Sequence, residues 1–153
     1  MLGERVLVMG IVNVTPDSFS DGGRCFDAGS AIEAAVRMVE AGADLIDIGG
    51  ESTRPGADPI DEAEEQRRVL PVIEGLAGRV RVPLSVDTYR ASTAAAALAA
   101  GAALVNDVSG LRYEPALADV VAGHGAAIVL MHTRGRSRQM YEQASYHDVI
   151  AEV

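Results

Sequence analysis

Five short apolar runs punctuate the chain, at residues 5–13, 45–48, 84–86, 103–105 and 127–131. Each is near-continuous in Val, Ile, Leu and Ala rather than alternating, which suits strands buried on both faces, as in a parallel sheet. Between them the apolar positions switch to helical spacing. Ser30 with Glu33 reads as a capping box, followed by Ile32, Ala35, Val36 and Val39 on one face and by Gly42 as a stop. Asp61 with Glu64 opens a second helix with Val69, Val72, Ile73 and Leu76 on one face, and Pro71 is expected to kink or split it. An alanine-rich helix over 92–100 is stopped by Gly101. Pro115 starts a fourth helix at its first position, with Leu117, Val120 and Val121 inside.

The order β-α-β-α-β-α-β-α-β implies an α/β fold: a parallel sheet with right-handed crossovers. Two architectures accommodate it. One is a five-stranded doubly wound sheet. The other is a (β/α)₈ barrel of the TIM type, which takes about 250 residues, so that 153 residues carry only its first five strands and four to five helices. Residues 147–153 favour the barrel: they begin an amphipathic helix, apolar at 149, 150 and 153, of which little more than one turn is present. The expectation is a single domain over 1–153 that is the N-terminal part of a larger barrel.

Composition narrows the chemistry. With 13 Lys+Arg against 22 Asp+Glu the net charge is −9, a poor fit for nucleic-acid binding, which clusters basic charge to displace counterions. All 13 basic residues are arginine, and the absence of lysine excludes Schiff-base, PLP and Walker-type phosphate chemistry from this polypeptide. A single cysteine, Cys25, makes no internal disulfide and suits a reducing, cytoplasmic location. No apolar run reaches the ~18 residues of a membrane span. Glu4 stands where a signal peptide carries a basic region.

Each apolar run is followed at once by polar residues and glycine: 13–23 after the first, 49–56 after the second, Asp87-Thr88 after the third, 106–110 after the fourth and 132–135 after the fifth. In parallel α/β folds these strand ends share one face, where ligands bind. Asn13, Asp87, Asn106 and His132 are therefore expected to converge. Asp and Asn side chains offer a donor and acceptor edge for a flat heterocycle with an amino group, ring N–H groups and a carbonyl. Asp87 as a carboxylate suits a guanidine-like edge, with Asn106 reading a neighbouring ring nitrogen. Arg54, in a Gly- and Pro-bounded loop, suits a phosphate. Asn13 offers a neutral oxygen of the kind Mg²⁺ accepts beside waters and phosphate.

These blocks carry a family resemblance. Residues 9–23 (MGIVNVTPDSFSDGG) resemble the first signature of the dihydropteroate synthase family, and 47–56 (DIGGESTRPG) the second. Ser85-Val86-Asp87-Thr88-Tyr89, Asn106-Asp107-Val108-Ser109-Gly110 and Met131-His132-Thr133-Arg134-Gly135 resemble later blocks in the same order. The resemblance implies a (β/α)₈ barrel and the condensation of 6-hydroxymethyl-7,8-dihydropterin diphosphate with 4-aminobenzoate, giving 7,8-dihydropteroate and pyrophosphate. It implies that Asp87 and Asn106 hold the pterin, that Val108 and Met131 line its pocket, and that Asn13 is the Mg²⁺ ligand. It places Thr53 and Arg54 in a second mobile loop acting on substrate phosphate. Asp17, Ser18 and Phe19 fall in a first mobile loop, with Phe19 and Pro55 walling the aminobenzoate slot. The family's Asp-Pro-Gly, Ser-Arg-Lys and Arg-x-His blocks are not present after His132, and Ser137 stands where the family often has proline. The chain alone is therefore expected to have negligible activity.

Blander roles compete with these. Asp47, inside a strand, reads as a buried structural carboxylate with a partner. Glu51 and Asp107 read equally as loop-fixing acceptors or substrate contacts. His124 reads as a helix-end cap and His147 as a helix-start surface residue, while His132 stays open. By chemistry alone Met9 and Met131 read as core, and Arg134, Arg136 and Arg138 as a solvated loop. Two other functions also fit the residues. A corrinoid-linked methyltransferase shares the pterin contacts but lacks the Thr-Pro-Asp-Ser-Phe loop present here. A non-catalytic half barrel would bind a partner or form a homodimer through its exposed last strand.

Overall fold

A computed structural model describes residues 3–15, 27–52, 59–134 and 145–153. The elements alternate as β1 (Met9–Asn13), α1 (Ala28–Glu40), β2 (Leu45–Gly49), α2 (Glu62–Leu76), β3 (Leu84–Asp87), α3 (Ala91–Ala99), β4 (Leu104–Asp107), α4 (Leu117–His124), β5 (Ala127–Leu130) and α5 (Val149–Glu152). All neighbouring strand pairs are parallel, in the order β1-β2-β3-β4-β5. That order separates the two architectures. A doubly wound sheet reverses its strand order and carries helices on both faces. Here every crossover steps to the next strand in the same direction, and connections of one hand then put the helices on one face, where α1 packs on α2, α2 on α3 and α3 on α4. This is the winding of a barrel wall.

The core lies between helices and sheet. Val12, Ile48, Val86 and Val105 form one row across the helix side, each 1% exposed or less, and they meet Ala35, Val69, Val72, Ile73 and Leu76 from the helices. The other face behaves differently: Ile11 is 58% and Val129 42% exposed. Alternate residues of a strand point to opposite faces, so this open face is the one a closed barrel encloses.

Several local expectations are corrected. The first strand starts at Met9, not residue 5, because the Val8 N–H goes to Asp44 Oδ2 at 2.9 Å rather than into the ladder. Helix α1 is capped by Asp27, whose carboxylate accepts from the Gly29 and Ser30 N–H groups at 3.0 and 3.1 Å; Ser30 lies inside the first turn. An anionic cap also complements the helix dipole. Asp61 does cap α2, accepting from Glu64 N at 2.8 Å. That helix runs unbroken through an exposed Pro71, since its buried face outweighs one missing hydrogen bond. Pro115 precedes α4 by a turn, and Gly125 closes that helix at φ 62°. Among the described residues no helix is long and apolar enough to cross a membrane.

One glycine shows how tightly α2 approaches the sheet. A Cβ on Gly50 would stand 2.9 Å from Val69 Cγ1 and 3.2 Å from the Glu65 carbonyl, a backbone atom that cannot rotate away. Gly50→Ala is expected to cost about 1–3 kcal/mol by overpacking. Denaturant unfolding checks this, and an unchanged midpoint would refute it.

Candidate active site at the strand ends

The open face carries two rows of side chains in register. Ile11, Asp47, Ser85, Leu104 and Ala127 form the deeper row; Asn13, Gly49, Asp87, Asn106 and Val129 form the row at the C-terminal ends. Asn13, Asp87 and Asn106 thus share one face and one level, with Asp87 and Asn106 on adjacent strands ~4.8 Å apart and Asn13 two strands away; His132, the fourth residue expected here, lies beyond the end of β5 and outside this row. Gly49 makes the gap between them usable. A Cβ there would lie 3.3 Å from Asp87 Oδ2, so the carboxylate leans over the glycine.

Asp87 is the electrostatic centre of the site. Burial, and then the charges of Asp47, Glu65, Asp107 and Glu51, push its pKa up from 3.8 to about 7. A carboxyl held near neutrality on a rim of strand ends is a candidate functional group. Beside it, Asn106 donates from Nδ2 to Asp47 Oδ2 at 3.0 Å. Asp47 is 3% exposed and has the partner expected of it.

Asp107 settles as a loop-fixing acceptor. Its carboxylate takes the Ser109 N–H at 2.7 Å and the Leu111 N–H at 2.6 Å, holding Leu111 at φ 64°, left-handed for a non-glycine residue. Val108 is partly buried in this turn. Met131 is 39% exposed on the open face, not core. His124 does cap its helix end, with Nδ1 2.9 Å from the Val120 carbonyl. His132 pairs through Nε2 with the Tyr146 hydroxyl at 3.1 Å, and Arg134 lies 4.0 Å over the Tyr146 ring, so residues 145–153 dock beside the end of β5. His147 is exposed. Asp17, Ser18, Phe19, Thr53, Arg54, Pro55, Arg136, Arg138 and Ser137 lie outside the described residues.

The sequence reading missed a buried charge network that frames the second loop. Arg90 Nη2 donates to Glu51 Oε2 at 2.9 Å and to the Ile60 carbonyl at 2.6 Å. Its Nη1 stands 3.0 Å from Glu65 Oε2, an ion pair without hydrogen-bond alignment. Glu65 also accepts from Thr93 Oγ1 at 2.7 Å, and Glu51 accepts from the Tyr89 hydroxyl at 3.2 Å. Glu51 and Ile60 flank residues 53–58, so one guanidinium ties both ends of that segment to the start of α3. Burial works against the Arg90 charge, but its bonds to Glu51 and the Glu65 carboxylate hold its pKa above the ordinary value. Burial and the Glu51 charge push Tyr89 up to about 12. One signal could have found the network: Glu65 falls on the apolar stripe of α2 with Val69, Val72 and Leu76, where a charge demands a partner.

A singly wound parallel sheet with a polar, partly desolvated row at its strand ends is of the α/β barrel class, and that row is where such folds place a small-molecule site. Residues 9–153 match the pterin binding enzyme family, and the chain belongs to that family. It is 49% identical over 151 residues to the dihydropteroate synthase of Synechocystis sp., covering 99% of this chain and 52% of that protein. Among solved structures it is similar to Xanthomonas albilineans dihydropteroate synthase with 4-aminobenzoic acid (TM-score 0.86, 51% identity, 97% of this chain and 52% of that one). It is also similar to the same species' enzyme in complex with 7,8-dihydropteroate (TM-score 0.80, 46% identity, 97% and 51%). The chain spans about half the length of the relatives it matches.

Proposed function

We propose that the chain supplies the pterin-binding half of a dihydropteroate synthase site, in which 4-aminobenzoate displaces pyrophosphate from 6-hydroxymethyl-7,8-dihydropterin diphosphate. The observation that carries this reading is the single row holding Asn13, Asp87 and Asn106 at the strand ends. In that row Asp87 accepts N–H bonds from the amino-pyrimidine edge of the pterin, and Asn106 reads the adjoining ring nitrogen. Val108 and Met131 line the ring. Thr53 and Arg54 hold the diphosphate, Arg54 by its fork. Asp17, Phe19 and Pro55 complete the aminobenzoate side.

The new bond joins the amine nitrogen to the pterin methylene while the C–O bond to the diphosphate breaks, and the nitrogen then gives up one proton to solvent or to the departing pyrophosphate. The dihydropterin ring spreads positive charge from that methylene, so C–O cleavage runs ahead of C–N formation. Arg54 offsets the charge growing on the leaving diphosphate.

Asn13 fits a Mg²⁺ role: it is exposed in the same row and offers one hard neutral oxygen. Among the described residues no cluster of three His, Cys, Asp or Glu side chains forms a cage, and Mg²⁺ favours one or two protein oxygens beside waters and phosphate over such a cage. When bound, the ion would neutralise charge on the diphosphate. A cytoplasmic location accords with this biosynthetic chemistry, and homodimer formation is part of the same proposal.

The test is calorimetric titration of the 153-residue chain with 6-hydroxymethylpterin, beside an assay for dihydropteroate from both substrates. Pterin binding without turnover is expected. A fusion continued with the second half of a relative should restore turnover. Dihydropteroate formation by the chain alone would overturn the half-site reading, and a fusion blind to pterins would overturn the function.

A further inference from the structure

The deeper row of the open face contains a group that the proposed reaction does not use. Asp47 lies on β2 and Asn106 on β4, with β3 between them, yet the Asn106 Nδ2 to Asp47 Oδ2 bond of 3.0 Å spans that strand. It can do so because Ser85, the residue of β3 paired with Asp47, has a short side chain. The bond settles which way the Asn106 amide points. A carboxylate only accepts, so the amide nitrogen must face Asp47 and the carbonyl oxygen is turned away from it.

A second observation separates this row from an ordinary structural network. Asp47 Oδ1 and Ser85 Oγ are both buried without a hydrogen-bond partner. Asp47 is 3% and Ser85 0% exposed. Buried carboxylates in structural roles have their acceptors satisfied, because an unpaired one costs stability. Here one oxygen is committed to Asn106 and the other is left open, directly beneath the site. Unsatisfied burial of this kind persists where function requires it.

We infer that Asp47 is a positioning residue of the site: it locks the Asn106 amide so that its carbonyl oxygen is presented to the ligand, making the Asp87–Asn106 edge a run of acceptors. Such an edge selects ligands whose facing edge is a run of donors, the N–H pattern of a cyclic guanidine. A ligand with an acceptor in that position meets lone pair against lone pair. This specificity rests on the proposed pterin-binding function; the Asp47–Asn106 bond does not.

The test therefore has two readouts on the isotopically labelled chain. The sequence holds two asparagines, Asn13 and Asn106, so the exposed Asn13 is an internal reference for side-chain amide exchange. Without ligand, one Asn106 Nδ2 proton is expected to exchange about tenfold or more slower than those of Asn13, in line with a hydrogen bond to a charged acceptor. Asp47→Ala should erase the difference. Asp47→Asn, which keeps an acceptor oxygen but no charge, should exchange at an intermediate rate.

The second readout is 6-hydroxymethylpterin affinity, expected to fall about tenfold or more in Asp47→Ala and to recover to within about threefold in Asp47→Asn. A merely structural role would lower the melting temperature without that rescue. Unchanged Asn106 exchange in Asp47→Ala overturns the inference, as does undiminished pterin affinity with the amide freed. Should Asp47→Ala fail to fold, equal Asn106 exchange in the wild type and Asp47→Asn overturns it instead. If the wild-type chain binds no pterin, the affinity readout moves to the fusion with a relative's second half, whose failure to bind overturns the functional reading, while the exchange rates still decide the Asp47–Asn106 bond.

Discussion

Replacing Asp87 with asparagine is expected to stabilise the empty protein at pH 8 while weakening its affinity for pterins. The carboxyl has a folded pKa of about 7 against an ordinary 3.8, through burial first and then the charges of Asp47, Glu65, Asp107 and Glu51. The folded state therefore holds this proton more tightly than the unfolded chain does. Below about pH 4 both states are protonated and no penalty exists. As pH rises from about 4 to about 7 the unfolded chain ionises first, and stability falls; above that the whole penalty is present. Asparagine cannot ionise, so the expected gain at pH 8 is on the order of 2–4 kcal/mol, vanishing near pH 4.

Urea unfolding of both proteins across that range measures it, and equal stability at pH 8 would show that the carboxyl is not strained. The wild-type group also predicts that pterin binding takes a proton off the protein below pH 7, so affinity rises through that region as the acceptor form becomes available. In the variant, pterin affinity should fall about tenfold or more, because one carboxylate oxygen becomes an N–H facing an N–H. Stability traded for recognition is the expected balance at a site where charge is buried ahead of its ligand.

Arg90→Ala is expected to be the most damaging single change for folding. It strands Glu51 and Glu65, 12% and 1% exposed at their side chains, with no cation beside them. Breaking a buried pair from one side costs about 3–5 kcal/mol, and the melting temperature should drop by roughly 10 °C or more. Arg90→Lys should fall between the two proteins, since an ammonium keeps the charge but cannot fork to Glu51 and the Ile60 carbonyl together. A melting temperature within 2–3 degrees of wild type for Arg90→Ala, roughly the shift expected from 1 kcal/mol, would mean the network is solvated rather than buried.

Much of the fold was legible because its signals are local. Strand runs, helical stripes, the Asp61 cap and the glycine stops each declare themselves within a few residues. Where local cues competed, the sequence reading slipped by a turn or less: Asp27 outranked Ser30 as a cap, and Asp44 drew off the Val8 N–H that would have lengthened β1. Pro71 misled for a different reason. Its cost is local, but the burial that offsets it comes from the sheet beneath α2.

The candidate site divides along the same line. Asn13, Asp87 and Asn106 were findable because strand ends of a parallel sheet must share a face, a rule that needs no contact information. Arg90 and Ser85 were not, because their meaning lies in partners tens of residues away; Glu65 alone left a trace, a charge on the apolar stripe of α2.

What the sequence determined by itself, then, is the alternation of strands and helices, the residues at each strand end and the absence of lysine chemistry, all set by short-range periodicity and composition. The tertiary structure decided the strand order, hence a barrel wall rather than a doubly wound sheet. It also decided the orientation of Asn106 and the raised pKa of Asp87. These depend on which charges and dipoles meet across the sheet, and burial makes such meetings matter only after the chain has folded.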